Sequence, residues 1–455
     1  MADSDTSDTT ARGNWNSKLG FILAAAGSAV GLGNIWRFPT EAASNGGGAF
    51  LLIYLICCFL IGYPVMMAEI AIGRRTNKNP VGAFKALSSN KFYPIIGMWG
   101  VLCGVMILSF YTVVAGWTFS YVFEEIFFAA GMTDWANWIS NVENGWLNAT
   151  FSIAFMGCTI SIIRGGVSDG IEKATKTLMP LLFIVLFILI GYVITQPGSA
   201  EGLAIYLQPD FSEITPNLVF AAMGQAFFSL SLGMGALITY GSYLSRKENI
   251  PQAAGLVTLV DTIVAFLAGL LIIPAMYMAQ AQGISIFSEA GDLVAGPALI
   301  FQVLPQLFHD MGGVLGVVFG VTFFLLLSVA ALTSTISLLE VPVSYTIDEH
   351  KVPRKRAALY VGGGILAISL IISFQTSLIG SLDFIFSQVG LPLGGIMISL
   401  FLAYSWKTEN AFDELELGND NFRHTVVGKT WKIFIMFICP IVILYNLLSA
   451  LGIFG

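Results

Sequence analysis

Charge is scarce in this chain. Only 11% of its 455 residues are Asp, Glu, Lys or Arg, against about 25% in an average soluble domain. Histidine is scarcer, with three in all, and cysteine numbers five. The net charge is −7 and the longest basic run is Arg354-Lys355-Arg356. Each shortage excludes something. Without a basic patch the chain is not expected to bind nucleic acid. The cysteines (Cys57, Cys58, Cys103, Cys158, Cys439) are odd in number, lie in apolar runs and show no metal-ligand spacing. They read as small core residues. A membrane enzyme lacks support, because no metal cluster or nucleophile motif is visible. His309, His350 and His424 fall in or near predicted loops. The polar segment 1–14 has no basic stretch followed by an apolar one, so it reads as a disordered cytoplasmic tail and not a cleaved signal.

What is abundant is apolar surface. Hydrophobic residues make up 56% of the chain, Phe alone accounts for 35, and the mean hydropathy is +0.79. Such a composition would expose too much apolar area in water. The chain therefore reads as an all-α integral membrane protein. A spanning helix needs about 20 apolar residues. That ruler gives eleven segments, roughly 15–39, 46–72, 92–127, 148–164, 170–194, 216–243, 252–279, 300–342, 355–373, 378–405 and 430–454. With the N-terminus placed in the cytoplasm, every Lys and Arg except Arg37 falls on the cytoplasmic side. The outer loops are instead acidic. The positive-inside rule thus predicts a cytoplasmic N-terminus and an extracellular C-terminus. Asn148-Ala149-Thr150 matches a glycosylation sequon and is read as a chance match.

Two of the segments are poor helices. The first contains Gly27, Gly31, Gly33, Asn34 and Pro39. The sixth contains Phe228-Ser229-Leu230-Ser231-Leu232-Gly233-Met234-Gly235. Val30-Gly31-Leu32-Gly33 and Leu232-Gly233-Met234-Gly235 share one pattern, five segments apart. Two copies offset by an odd number of spans insert with opposite orientation, which is the signature of an inverted-repeat secondary transporter. Unwound backbone in a bilayer costs several kcal/mol per unsatisfied group. The break is therefore expected to bind something: half-helix N-termini attract a carboxylate, and freed carbonyls coordinate a cation. Close helix packing at small residues is the alternative. A dinucleotide-binding loop does not fit Gly31-Leu32-Gly33, since no third glycine follows and no βαβ pattern surrounds it. Gly46-Gly47-Gly48 reads as a turn.

The stretch Gly27-Ser28-Ala29-Val30-Gly31-Leu32-Gly33-Asn34-Ile35-Trp36-Arg37-Phe38-Pro39, followed by Asn45-Gly46-Gly47-Gly48-Ala49-Phe50, resembles the signature of the neurotransmitter:sodium symporter family. The resemblance continues through Gly224–Gly233 and Ala330-Ala331-Leu332-Thr333-Ser334, and is strongest to the family's bacterial amino acid transporters. It implies a sodium-coupled importer of hydrophobic L-amino acids in the bacterial cytoplasmic membrane. The implied fold has two inverted five-helix repeats, 15–194 and 216–405, with discontinuous first and sixth helices and an extra helix at 430–454. No obligate protein partner is evident.

The resemblance also places sites. A first sodium site would use Ala29, Asn34, Ser229 and Asp261 with the substrate carboxylate. A second would use Gly27, Val30, Ala330, Thr333 and Ser334. Oxygen ligands suit a hard cation, although a lone Thr-Ser pair can instead bond back to its own helix. Asp261 is a mid-span carboxylate, costing roughly 2.5–3.5 kcal/mol on insertion. It stands where the family usually has Asn. Eukaryotic relatives place a chloride near the sodium ions; here Asp261 already supplies a negative charge, so no chloride requirement is expected. The implied substrate pocket is Ala29, Leu32, Gly33, Ile107, Tyr111, Phe228, Ser231, Met234, Ser334 and Leu338. It would hold an α-amino acid with an apolar side chain. Monoamine members carry Asp at the position of Gly31, so glycine argues against amines. Met234 can adapt to aliphatic or aromatic groups. Arg37 and Asp383 would form an outer gate with Phe228 as lid, and Arg12, Trp15, Tyr243 and Asp348 a cytoplasmic one. In the fifth segment Gly170 precedes Pro180, which removes a helix hydrogen bond. This region is expected to unwind and open a path to the second sodium, with a static kink as the alternative. A receptor that binds amino acids without moving them remains a competing reading.

Overall fold

The computed structural model describes residues 13–286 and 299–453. Arg12, and the tail predicted over 1–14 as far as residue 12, lie outside the described residues. Every regular element among the described residues is helical. Among the described residues, nine helices of 20 to 38 residues are long and apolar enough to cross a membrane. In chain order they are Gly48–Thr76, Pro94–Ala129, Gly145–Arg164, Val167–Val193, Ile250–Ala281, Gly313–His350, Arg354–Phe374, Leu378–Leu415 and Val426–Ala450. Ahead of them Lys18–Ala29 and Gly33–Ser44 form a pair bent by 52°. Pro216–Ser229 and Ala236–Gly241 are too short to span singly. Taken as one broken crossing, and with the bent pair as another, they make eleven.

Some boundaries differ from expectation, each for a local reason. The single segment expected over 300–342 is divided into Leu299–Met311 and Gly313–His350. Gly312 and Gly313 have φ of +63° and +58° between them, a left-handed turn that no helix carries through. The first crossing runs on to Ser44: Pro39 follows the widened turn Gly33–Arg37, and the helix Phe38–Ser44 continues past it. The tenth continues past 405, turning at Lys407 with φ +72°. Cys158 is exposed and not a core residue, while the other four cysteines are buried. Asn148 is buried with its amide donated to Val142 O and Ser373 O, so the sequon is not accessible.

The two broken crossings occupy the centre. Lys18–Ala29 packs against the fifth, seventh and eighth crossings, and Ala236–Gly241 against the second. The outward faces are apolar: Ile184, Phe187 and Ile188 on the fifth crossing and Ile441 on the eleventh are each more than half exposed. Lipid tails are as apolar as these side chains, so such a surface carries no penalty in a bilayer. The framework is tied internally by Arg74 on the second crossing and Glu414 at the end of the tenth. Their side chains are 0% exposed and 2.6 Å apart. Replacing Glu414 with Ala strands a buried guanidinium and is expected to cost about 3–5 kcal/mol. Removing the exposed Lys432, which meets Glu409 at 2.7 Å, is expected to cost about 0–1 kcal/mol. Thermal unfolding of the two detergent-purified variants measures the contrast.

Candidate functional site

The first crossing loses its helix at Val30, whose ψ of 111° is extended. The backbone groups released there find side chains. Gly31 N–H donates to Asn34 Oδ1 at 3.0 Å and Leu32 N–H to Tyr111 Oη at 3.0 Å. Gly33 O accepts from Gln225 Nε2 at 2.8 Å. Val30 O accepts from Thr333 Oγ1 at 3.1 Å and Ser334 Oγ at 3.4 Å. The sixth crossing breaks over 230–235, where Ser231, Gly233 and Gly235 have φ of +54°, +85° and +77°. Gly233 N–H is taken by Glu69 Oε1 at 2.7 Å, and Ser231 Oγ donates to Ser28 O at 2.9 Å, joining the two breaks. The expectation that a ligand must complete the unwound backbone is therefore too broad. Much of that pairing is done by the protein's own side chains, which suits a break that must persist between binding events.

Oxygen atoms gather at two points beside these breaks. Asn34, Ser229 and Asp261 form one cluster. Asn34 Nδ2 donates to Asp261 Oδ1 at 2.7 Å and to Ser229 Oγ at 2.9 Å, and Ser229 Oγ lies 3.0 Å from both Asp261 oxygens. Tyr54, unnoticed in the sequence, donates to Ser229 and Asp261 at 3.0 and 3.3 Å. All four are buried. Val30 O, Thr333 and Ser334 form the second cluster, with Thr333 Oγ1 also 2.9 Å from Ala330 O. A Cβ on Gly27 would touch Thr333.

Beside the two breaks lies a cavity of about 30 Å³, lined by nine of the ten residues expected for a substrate pocket: Ala29, Gly33, Ile107, Tyr111, Phe228, Ser231, Met234, Ser334 and Leu338. Leu32 instead borders the larger cavity described next. Ser28, Gly31 and Leu391 join the lining. A Cβ at Gly31 would collide with Ser334 Oγ and Tyr111 Oη, so no larger residue fits there without rearrangement. Phe228 separates this cavity from one of about 650 Å³ that also meets Trp36, Trp117, Arg37 and Asp383. Arg37 stands 4.7 Å over the Phe228 ring, with Nη1 3.8 Å from Asp383 Oδ1. Both charged side chains are about one-quarter exposed.

At the opposite end Trp15 donates to Tyr240 O at 3.0 Å and packs edge-on against Tyr240 and Tyr243. Tyr243 donates to Glu340, which pairs with Arg354. Asp348 Oδ2 accepts from the Asn79 backbone and amide. Gly170 lies in a widened turn, Val167–Glu172, that opens the fifth crossing, and Pro180 lies within the continuous helix beyond it. Glu172 accepts from Asn16 N–H and Ser17 Oγ, so that turn holds the start of the first crossing. The sequence reading overlooked Glu69, Tyr54, Gln225, Ser28, Leu391 and Glu172. Glu69 had a usable signal, being a carboxylate inside an apolar run just as Asp261 is.

Comparison with known proteins finds relatives along nearly the whole chain. The sodium:neurotransmitter symporter family matches residues 12–146 and 127–454. An uncharacterized sodium-dependent transporter of Bacillus subtilis, YhdH, is 33% identical across 96% of this chain and 98% of its own length. One from Haemophilus influenzae is 32% identical across 98% of this chain and 100% of its own. The crystal structure of MhsT in complex with L-phenylalanine superposes with a TM-score of 0.84 at 43% identity, covering 96% of this chain and 100% of that one.

Glu69→Ala removes the acceptor of Gly233 N–H and is expected to destabilise the fold by about 1–3 kcal/mol. Glu69→Gln keeps an amide oxygen there and is expected to cost less. Denaturant or thermal unfolding of both variants checks the order.

Proposed function

The chain belongs to the sodium:neurotransmitter symporter family, and on that premise we propose that it imports hydrophobic L-amino acids together with two sodium ions, without a chloride requirement. It is a multi-pass membrane transporter and not an enzyme. The proposed architecture is two inverted repeats, 15–194 and 216–405, broken at matching places, with the N-terminus cytoplasmic and the C-terminus outside. The observation that carries the reading is the meeting of Val30 O, Thr333 and Ser334 at the first break, beside a cavity walled by Ile107, Met234 and Leu338. Phenylalanine in MhsT supports an apolar amino acid as ligand.

The chemistry follows from the groups in place. One sodium takes the oxygens of Gly27, Val30, Ala330, Thr333 and Ser334. The other enters the Asp261 cluster and takes oxygens of Asp261, Asn34 and Ser229, with Ala29 completing the protein's share. That sodium, Tyr111 and the amides at the first break hold the substrate carboxylate. Carbonyls of the breaks and Ser231 hold the ammonium, and Leu338, Ile107 and Met234 give way to the side chain. Gly31 leaves no acid to pair a carboxylate-free amine. The partly exposed Arg37–Asp383 contact contributes about 0–1 kcal/mol, weak enough to open, with Phe228 closing beneath it. Release inward begins where Glu172 ties the fifth crossing to the first, and Gly170 and Pro180 let that helix unwind. Arg12, Trp15, Tyr243 and Asp348 close that side. Two charges moving down the membrane potential yield about 4–5 kcal/mol per 100 mV, and a hundredfold accumulation of a zwitterion needs about 2.8 kcal/mol.

Uptake of labelled phenylalanine and leucine into proteoliposomes is expected to need an inward sodium gradient. Saturable binding with no accumulation would make the protein a receptor instead. Replacing chloride by gluconate is expected to leave uptake unchanged; a sharp fall would remove the chloride-independent reading. Asp261→Asn is expected to weaken sodium dependence by at least about tenfold, the cost of about 1.4 kcal/mol, or to create a chloride requirement. Pro180→Ala is expected to slow uptake and sodium release; unchanged rates would leave Pro180 a static kink.

A further inference from the structure

Away from the transport path, three side chains converge that no short motif links. Glu124 and Glu125 stand near the end of Pro94–Ala129, and His309 lies on Leu304–Met311. His309 Nε2 is 3.2 Å from Glu124 Oε1 and 3.6 Å from Glu125 Oε2. One ligand atom from each lies within 4.8 Å of the other two. The carboxylates are 4% and 1% exposed. Glu124 Oε2, Glu125 Oε1 and His309 Nε2 have no hydrogen-bond partner. Among the described residues, His309 is the one basic group within 4 Å of either acid. The imidazole is held flat against Phe128, with centroids 3.5 Å apart and planes at 6°.

Two buried carboxylates beside a single imidazole form a charge set with too little compensation, and buried charges are normally paired or bound to metal. We propose that Glu124, Glu125 and His309 form a site for a divalent transition-metal ion of the zinc class. Zinc accepts imidazole nitrogen and carboxylate oxygen, with three protein ligands and a water in the fourth position. Calcium wants six to eight oxygens and magnesium an octahedral oxygen shell, and neither set is available here. A cavity of about 600 Å³ bordered by Glu125, Phe128, His309 and the Gly312-Gly313 turn supplies the entry path and room for water.

The placement has a consequence for transport. The helix that carries His309 begins with Leu299–Val303, where Phe301 meets Trp36 and Trp117 at 6.3 and 5.8 Å and its carbonyl accepts from Tyr121 at 2.7 Å. Trp36 and Trp117 wall the larger cavity. An ion tying His309 to the third crossing holds the helix Leu299–Met311 against the wall of the larger cavity and slows any rearrangement of that wall during transport.

The test uses the full-length chain in detergent and in proteoliposomes, stripped with chelator and titrated with zinc chloride. One zinc per chain is expected by calorimetry, together with a saturable slowing of sodium-driven uptake. His309→Ala and Glu125→Gln are each expected to weaken zinc binding at least ~10-fold, with uptake in chelator unchanged. Absence of saturable binding, equal zinc affinity in both variants and the parent, or displacement of zinc by equimolar calcium overturns the proposal. Because binding is read directly, these results stand apart from whether the chain accumulates amino acids.

Discussion

A peptide group without a partner costs several kcal/mol in hydrocarbon, and everything central in this protein is arranged around that penalty. Val30–Gly31 and Leu230–Gly235 are non-helical at the heart of a helical bundle. They persist because Asn34, Tyr111, Gln225 and Glu69 reach in from the same or neighbouring crossings and take the freed groups. These side chains bury polar atoms in turn, so each needs its own partners, and the network spreads outward through Ser229, Tyr54 and Asp261. Beside the first break, carbonyl and hydroxyl oxygens of Val30, Ala330, Thr333 and Ser334 meet one another across two crossings.

The same molecule holds ion pairs of two kinds. Arg74 and Glu414 are wholly buried, close and multiply bonded, joining the second and tenth crossings. Arg37 and Asp383 are wider apart and partly solvated, and Arg37 leans instead on the face of Phe228. The first pair is expensive to break because either partner alone would be a buried charge. The second is cheap because water compensates each partner as they part. Phe228 lines both the cavity of about 650 Å³ and the one of about 30 Å³.

Much of this was legible in residue order. Span length, the asymmetry of Lys and Arg, and the doubled Gly-x-Gly pattern are local properties, so the crossings and their two breaks could be read directly. The mid-span carboxylate at Asp261 announced itself by its cost. Glu69 carried that same signal and was passed over, because nothing nearby in sequence names Gly233 as its partner. The division at Gly312-Gly313 was missed for a different reason: composition stays apolar across it, while backbone handedness changes.

The chain's composition and periodicity by themselves determined that it crosses a membrane repeatedly and that its first and sixth passages cannot be plain helices, since both follow from solvent and from local backbone freedom. Only the tertiary structure decided which side chain completes which break, that Leu32 borders the vestibule and not the inner cavity, that Leu391 reaches the pocket, and that His309 meets Glu124 and Glu125. The reason is that each of these depends on contact between helices far apart in sequence, set by how whole helices pack, and no local pattern encodes a distance between them.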